Sequence, residues 1–374
     1  MKFIISSSAL LKGLQNISGI LSANSLIPII ENFLFEIEEG SIKVTATDNE
    51  TRATVTLQPE MVEGSGNIAI PPKILLNTLK TLPDIPLTIQ INDDNFAVEL
   101  IAGEGVYKVA GYNPSDYPEL ALIENATKID LNSVVLHNAI NSTLFACTND
   151  ELRPQLMGVF FELTPEYTNF VATDAHKLVR FRRSDIKTDE YISFIVHKKP
   201  LNLLKNLLIN IDSDVSLQFN NTNVSFSFED YTLTCRLLEG KFPDHEKVIP
   251  PNNTNEMLIN REAVLNTLKR VAIFASQASN QVKLSIKGQE LTIHAEDTDY
   301  SNEAKERIPC SYKGEDLEIG FNSRFLIDIL STLESENVRF MMSEPNRAAL
   351  IHPDENIAEE EDILMLLMPV MLNA

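Results

Sequence analysis

Residues 172–178 read Ala172-Thr173-Asp174-Ala175-His176-Lys177-Leu178, and the first three of these already stand once before, as Ala46-Thr47-Asp48. A degraded form, Ala295-Glu296-Asp297, follows in the last third of the chain. The spacing is about 125 residues each time, and self-similarity at that scale concerns the whole fold, not a local motif.

Other landmarks keep the same period. Each third opens on a short strand followed by a polar cap and an apolar helix: Lys2 to Ile5 before Ser7-Ser8-Ala9-Leu10-Leu11, Lys128 to Leu131 before Ser133-Val134-Val135-Leu136, and Met257 to Ile259 before Arg261-Glu262-Ala263-Val264-Leu265. Asn260 is the expected cap of the third copy, since its side-chain oxygen can satisfy an orphan helix amide. A second helix starts at a Pro-marked or basic turn: Ile70-Pro71-Pro72-Lys73, Val196-His197-Lys198-Lys199-Pro200 and Phe321-Asn322-Ser323-Arg324. Proline suits a first helical turn because its missing N–H would be unpaired there anyway. The thirds close on Asp116-Tyr117-Pro118, on Phe242-Pro243-Asp244 and on Met368-Pro369.

Between these points apolar and polar residues alternate, as in Ser41 to Thr56, Asn169 to Arg180 and Val215 to Phe228. That is strand periodicity, and only two helical stretches occur per third. The expected fold is α+β, with three repeated domains at 1–125, 126–251 and 252–374, each an antiparallel sheet structure backing two helices. A chain of 374 residues, 44% hydrophobic, can bury several cores.

Three cysteines, Cys147, Cys235 and Cys310, are scattered without metal-like spacing and read as reduced, buried, small apolar residues of a cytosolic protein. Ser6-Ser7-Ser8 and Lys12 interrupt Phe3-Ile4-Ile5 before a signal-peptide core forms, and the run Leu364 to Leu372 is too short for a membrane span and contains Pro369. A cytoplasmic location is expected.

The formal net charge of −22 looks hostile to nucleic acid until it is divided by element. The expected helices, 7–22, 73–83, 133–147, 197–208, 261–276 and 323–333, carry ten basic residues against Glu262 and Asp328, a net of +8, which leaves −30 on everything else. Five of the six share the basic sign. The helix over 133–147 has only His137.

Met1-Lys2-Phe3 with Leu10-Leu11-Lys12, the segment Ala172 to Leu178, Gly240-Lys241-Phe242-Pro243-Asp244 and the ending Met368-Pro369-Val370-Met371-Leu372 together resemble the bacterial DNA sliding clamp family, the beta subunits of DNA polymerase III. The resemblance runs through the whole chain in order. It implies a non-catalytic processivity factor: a head-to-tail homodimer of three-domain protomers, each half of a closed ring with helices inside and sheets outside. Such a ring encircles duplex DNA without sequence specificity, because phosphate contacts carry no sequence information, and needs no cofactor and no metal. The residues expected to face DNA are Lys12, Lys73, Lys80, Lys198, Lys199, Lys205, Lys269 and Arg270. Family members often use Arg where this chain has Asn24, and the loop Thr148-Asn149-Asp150-Glu151-Leu152-Arg153 is acidic apart from Arg153, so these loops contribute less.

The resemblance also implies a pocket for short linear peptides from the polymerase and the clamp-loader subunits. Carried over, its residues are Leu156, Thr173, Ala175, His176, Lys177, Leu178, Pro243, Lys247, Val248, Ala349, Leu366, Leu367, Met368, Pro369 and Val370. Leucine and methionine can mould around an apolar anchor, with His176 and Lys247 at the rim. The plainer reading of Leu364 to Leu372 is a buried terminal strand. Ala175 replaces a family glycine and is expected to resist positive φ, Met371 replaces an arginine, and Asn373-Ala374 extend the end. The dimer interface is expected to join Tyr107 and Val109, on an edge strand, to Ile273 and Phe274, although all four also read as ordinary core residues.

Catalysis finds no support. His176 follows Asp174 by two residues, but no Ser or Cys sits in a nucleophile elbow. The acidic residues 354–362 lack the glycine turn of a calcium loop, and Gly103-Glu104-Gly105 lacks the third glycine and following helix of a dinucleotide site. The rival to the clamp is an acidic multidomain enzyme or ligand-binding protein whose site the motifs do not reveal.

Overall fold

The computed structural model describes residues 1–22, 25–118, 123, 126–355 and 358–372; Asn24, Asn373 and Ala374 lie outside the described residues. Six α-helices are present among them: α1 (Ser7–Ile17), α2 (Pro72–Thr81), α3 (Ser133–Thr143), α4 (Lys198–Leu207), α5 (Arg261–Val271) and α6 (Ser323–Thr332). The first helix of each third is shorter than its apolar run, because the last turn tightens into a 3-10 segment at Ser18–Ile20, Leu144–Ala146 and Ala272–Phe274. The caps are local and repeated. Ser6 accepts from the Ala9 amide at 3.2 Å, Asn132 from Val134 at 2.9 Å, Asn260 from Ala263 at 3.0 Å and Asn322 from Arg324 at 3.0 Å. Pro72 opens α2 in place of a side-chain cap.

The chain forms two compact units, Met1–His137 with Lys199–Leu237, and Asn138–Lys198 with Leu238–Ala374. In the first, α1 packs beside α2. A five-stranded antiparallel sheet runs from Met61–Glu63 through Lys2–Ser6, Pro86–Ile91 and Ala97–Ala102 to the edge strand Gly105–Ala110. An eight-stranded sheet joins the outer strands of the first and second thirds edge to edge, through Tyr231–Arg236 on Thr51–Leu57, with Tyr231 opposite Val55. In the second unit α5 packs beside α6. Its nine-stranded sheet is joined in the same way, Lys177–Arg183 lying antiparallel to Glu361–Leu367 with Leu178 opposite Leu366. A four-stranded sheet ends on the edge strand Asn302–Pro309.

The repeated Thr-Asp motif is a turn whose hydrogen bonds are the same in two copies. Thr47 Oγ1 donates to the Thr51 carbonyl at 2.8 Å, and Asp48 Oδ1 accepts from the Glu50 and Thr51 amides at 3.2 and 2.8 Å. Thr173 Oγ1 donates to the Lys177 carbonyl at 2.7 Å, and Asp174 Oδ1 accepts from the His176 and Lys177 amides, both at 2.9 Å. The residue after the aspartate is left-handed in both, Asn49 at φ 77° and Ala175 at φ 76°. Asparagine tolerates that conformation, whereas alanine pays for its Cβ. Ala175 therefore takes the positive φ that its side chain was expected to resist, because the Thr173 and Asp174 hydrogen bonds over-determine the turn. Asp174 and His176 lie in this turn between strands, not along one strand.

The closing aromatics are buried anchors. The Tyr117 hydroxyl reaches the Asn32 and Thr45 carbonyls at 3.4 and 3.3 Å, and Phe242 stacks on Phe160 with centroids 4.7 Å apart. Of the cysteines only Cys235 is fully buried; Cys147 and Cys310 are half-buried, a correction to the expectation, and all three are free thiols.

Candidate functional site

The basic helix residues divide by what they touch. Lys12 on α1, Lys73 and Lys80 on α2 and Lys269 on α5 are exposed, Lys205 on α4 is half-buried, and none has an ion-pair partner among the described residues. The other three are engaged. Lys198 donates to the Thr148 carbonyl at 2.6 Å and to Asn149, which ties it to the loop that contains Arg153, itself paired with Asp150 at 2.8 Å. Lys199 pairs with Asp48 of the first turn motif. Arg270 grips Glu306 through Nε at 3.0 Å and Nη2 at 2.6 Å. That pairing raises the Arg270 pKa and lowers the Glu306 pKa, hydrogen bonding being the leading cause in each. An isolated lysine offers its full charge to a phosphate, whereas a paired one must first release a carboxylate.

The fifteen residues expected at the peptide pocket fall into separate groups. Leu156, Leu178 and Leu366 join a buried apolar cluster with Phe160, Phe242 and Leu350, against which Leu238, Ile249 and Met341 are packed. Strand alternation decides this membership. Leu178, Leu366 and Leu350 pair across three strands and share one face, while the neighbouring row, Lys177, Leu367 and Ala349, lies on the other. Leu367 and Ala349 are fully buried there, away from that cluster.

Lys177 is also buried. Its Nζ pairs with Asp174 Oδ2 at 2.6 Å and stands 4.2 Å from the centre of the Phe325 ring. His176 is exposed and stacks on the same ring, with centroids 5.9 Å apart. Phe325, on α6, is a site residue the sequence motifs missed; its position in the first turn after a polar cap carried no signal of its aromatic neighbours.

The end of the chain leaves the sheet after Leu367. The Met368 amide donates to the His176 carbonyl at 2.9 Å and the Val370 amide to the Gly320 carbonyl at 2.9 Å. Gly320 permits this approach, since a Cβ there would stand 2.7 Å from the Val370 carbonyl oxygen and 2.8 Å from Leu372 Cδ2. The plainer reading of the C-terminus thus holds as far as Leu367 and fails beyond it: Met368 is 43% exposed and Met371 77%. Pro243, Lys247 and Val248 are exposed on a segment anchored by buried Phe242 and His245, and Lys247 pairs with Asp244 at 2.7 Å. Burial is the main cause of the lowered His245 imidazole pKa, opposed by Glu162 and Glu246.

Of the four interface residues, Tyr107 is 41% exposed on the edge strand, and Ile273 and Phe274 are 78% and 40% exposed after α5. Val109 is 7% exposed and belongs to the core of its own sheet.

No metal-ligating cluster and no helix long and apolar enough to cross a membrane occur among the described residues. An edge-joined series of antiparallel sheets backing paired helices is the architecture of DNA polymerase sliding clamps. The chain matches the crystal structure of such a clamp from Pseudomonas aeruginosa bound to griselimycin with a TM-score of 0.94 at 28% identity, and the beta subunit from Thermotoga maritima with 0.91 at 26%, each over 100% of both chains. The beta sliding clamp of Vibrio cholerae is 30% identical over 376 residues, and that of Escherichia coli K12 26% over 373, both covering 100% of each chain. Family models for the N-terminal, central and C-terminal domains of the DNA polymerase III beta subunit match residues 1–121, 130–244 and 246–370. The chain belongs to the DNA polymerase III beta subunit family, the bacterial beta sliding clamps, which are non-catalytic processivity factors of DNA replication.

Proposed function

We propose that two copies of this chain, each of three domains over 1–125, 126–251 and 252–374, close a ring around duplex DNA in the cytoplasm and tether the replicative polymerase to it. The observation that carries this reading is the segregation of charge: in a chain of net −22, exposed helix lysines such as Lys12, Lys73, Lys80 and Lys269 stand without ion-pair partners among the described residues. These four, with Lys205, are the phosphate contacts of first rank; Lys198, Lys199 and Arg270 contribute after exchanging their present partners. A ring of this kind holds DNA by topology, so affinity for any one sequence is not required.

Tyr107, Ile273 and Phe274 supply the apolar contact between protomers, with Val109 supporting the edge strand from within. Client peptides of the polymerase and the clamp loader dock an apolar anchor against Leu156, Leu178 and Leu366, lined at the surface by His176, Pro243, Val248 and Met368 to Val370, with Phe325 holding His176 in place. Lys177 acts inside this wall instead of at its rim, since it is already paired with Asp174.

The test is retention. Loaded onto nicked circular DNA, the protein should run as a dimer near twice 41.9 kDa and stay on the circle, then leave once the circle is linearised. Equal retention on linear and circular DNA would overturn the reading.

A further inference from the structure

Leu178, Arg180 and Arg182 share one face of the strand Lys177–Arg183, and across from them on Glu361–Leu367 stand Leu366, Leu364 and Asp362. The apolar end of this face is the cluster holding Leu178 and Leu366; its other end is ionic. Arg180 is only 9% exposed in its side chain. Its Nη1 donates to both oxygens of Glu246, at 3.0 and 3.2 Å, and its Nη2 to Asp362 Oδ2 at 2.7 Å. Arg182 adds a bond from Nη2 to Glu246 Oε1 at 2.6 Å and lies over the Tyr167 ring.

Glu246 belongs to the segment that presents Pro243, Lys247 and Val248, and Asp362 to the strand that runs out into Met368 to Val370. One buried guanidinium therefore ties the two surface walls of the proposed peptide site, at partners 66 and 182 residues away in the chain. The segment's other anchors are the Phe242 ring on Phe160 and the buried His245, whose Nε2 lies 3.7 Å from Glu162 Oε2. The Nε of Arg180 is buried without a hydrogen-bond partner among the described residues, so the guanidinium is aimed at the two carboxylates at the expense of its own saturation.

We infer that Arg180 is a positioning residue of the peptide site: it fixes the Glu246 segment and the Asp362 strand at the separation that a bound peptide needs, without touching the peptide. This rests on the peptide-docking reading above. Planar, bidentate geometry suits arginine to holding two carboxylates at once, which lysine as a point charge does less well.

The test uses the full chain and a fluorescein-labelled synthetic peptide ending in Leu-Phe, followed by anisotropy and stopped-flow dissociation. Arg180→Met should raise Kd about tenfold, mainly through faster dissociation, with Arg180→Lys between it and wild type. Glu246→Gln keeps the shape of the segment and guards against a folding defect in Arg180→Met; it should weaken binding in the same direction. The double variant should bind no worse than Arg180→Met alone, because both changes open one latch. Additive losses, or unchanged Kd in Glu246→Gln and Arg180→Met, would overturn the inference while wild-type binding leaves the docking site standing. Wild-type protein that fails to bind the peptide would remove the docking reading and this inference with it.

Discussion

Arg270 at the end of α5 and Glu306 on the edge strand Asn302–Pro309 are clasped by two parallel hydrogen bonds, at 3.0 and 2.6 Å. A cation expected to face DNA is thus occupied by a carboxylate that a phosphate would have to displace. Glu306→Gln should strengthen retention on DNA and steepen its salt dependence by roughly one counterion, whereas Lys269→Ala should weaken retention and make the slope shallower. Retention of the loaded protein across a potassium chloride series measures both. An unchanged slope in Glu306→Gln would show that Arg270 adds no phosphate contact even when released from its carboxylate.

Ala175 holds φ at 76° in the turn before His176. Replacement by glycine removes the Cβ clash and should raise stability by about 1 kcal/mol, less the entropy that glycine loses on folding. The shift is read from the urea midpoint of unfolding. The Thr173 and Asp174 hydrogen bonds keep the turn in place, so peptide affinity should change little; loss of affinity in Ala175→Gly would mean the methyl group itself lines the site.

Met368 and Val370 hold the C-terminal tail through hydrogen bonds that their backbone amides donate to the His176 and Gly320 carbonyls. Truncation after Leu367 should abolish binding of a polymerase-derived peptide while leaving the dimer intact by sedimentation. Gly320→Ala should give a milder form of the same loss, since its Cβ would meet the Val370 carbonyl oxygen at 2.7 Å. Normal binding by the truncated chain would refute the placement of the pocket.

His352 lies beside Asp362, Arg180 and Arg339, and its Nδ1 faces the Ile363 carbonyl at 3.2 Å. Burial lowers its pKa from the ordinary 6.5, outweighing the opposing effect of Asp362 and the carbonyl. The unfolded chain therefore takes up a proton below pH 6.5 where the folded one resists, so this contribution is complete above 6.5 and is lost as pH falls toward the folded value. Urea midpoints should decline from pH 7.5 to 5.5, and His352→Gln should flatten that decline. An unchanged pH slope in the variant would exclude the imidazole.

Much of the fold is legible in the residues because its signals act over a few positions. Asn260 caps α5, Pro72 opens α2, and the Thr-Asp turns close on hydrogen bonds between residues at most four apart. Apolar alternation likewise marks the strands without knowledge of their partners. The peptide-pocket set was legible only as a union: strand parity was there to be read, but which row meets the cluster depended on pairing Leu178 with Leu366 and Leu350.

Sequence alone determined the threefold period, the α+β class, the caps and the concentration of basic residues on the helices, because each follows from neighbours along the chain. Tertiary structure decided which of those cations remain unpaired and which walls are tied together. Lys199 finds Asp48 across 151 positions, Arg270 finds Glu306 across 36, and Arg180 joins Glu246 to Asp362. Phe325 meets His176 only once α6 has packed. Charge is a property of a residue, but its availability depends on which opposite charge the folded backbone brings within hydrogen-bonding distance.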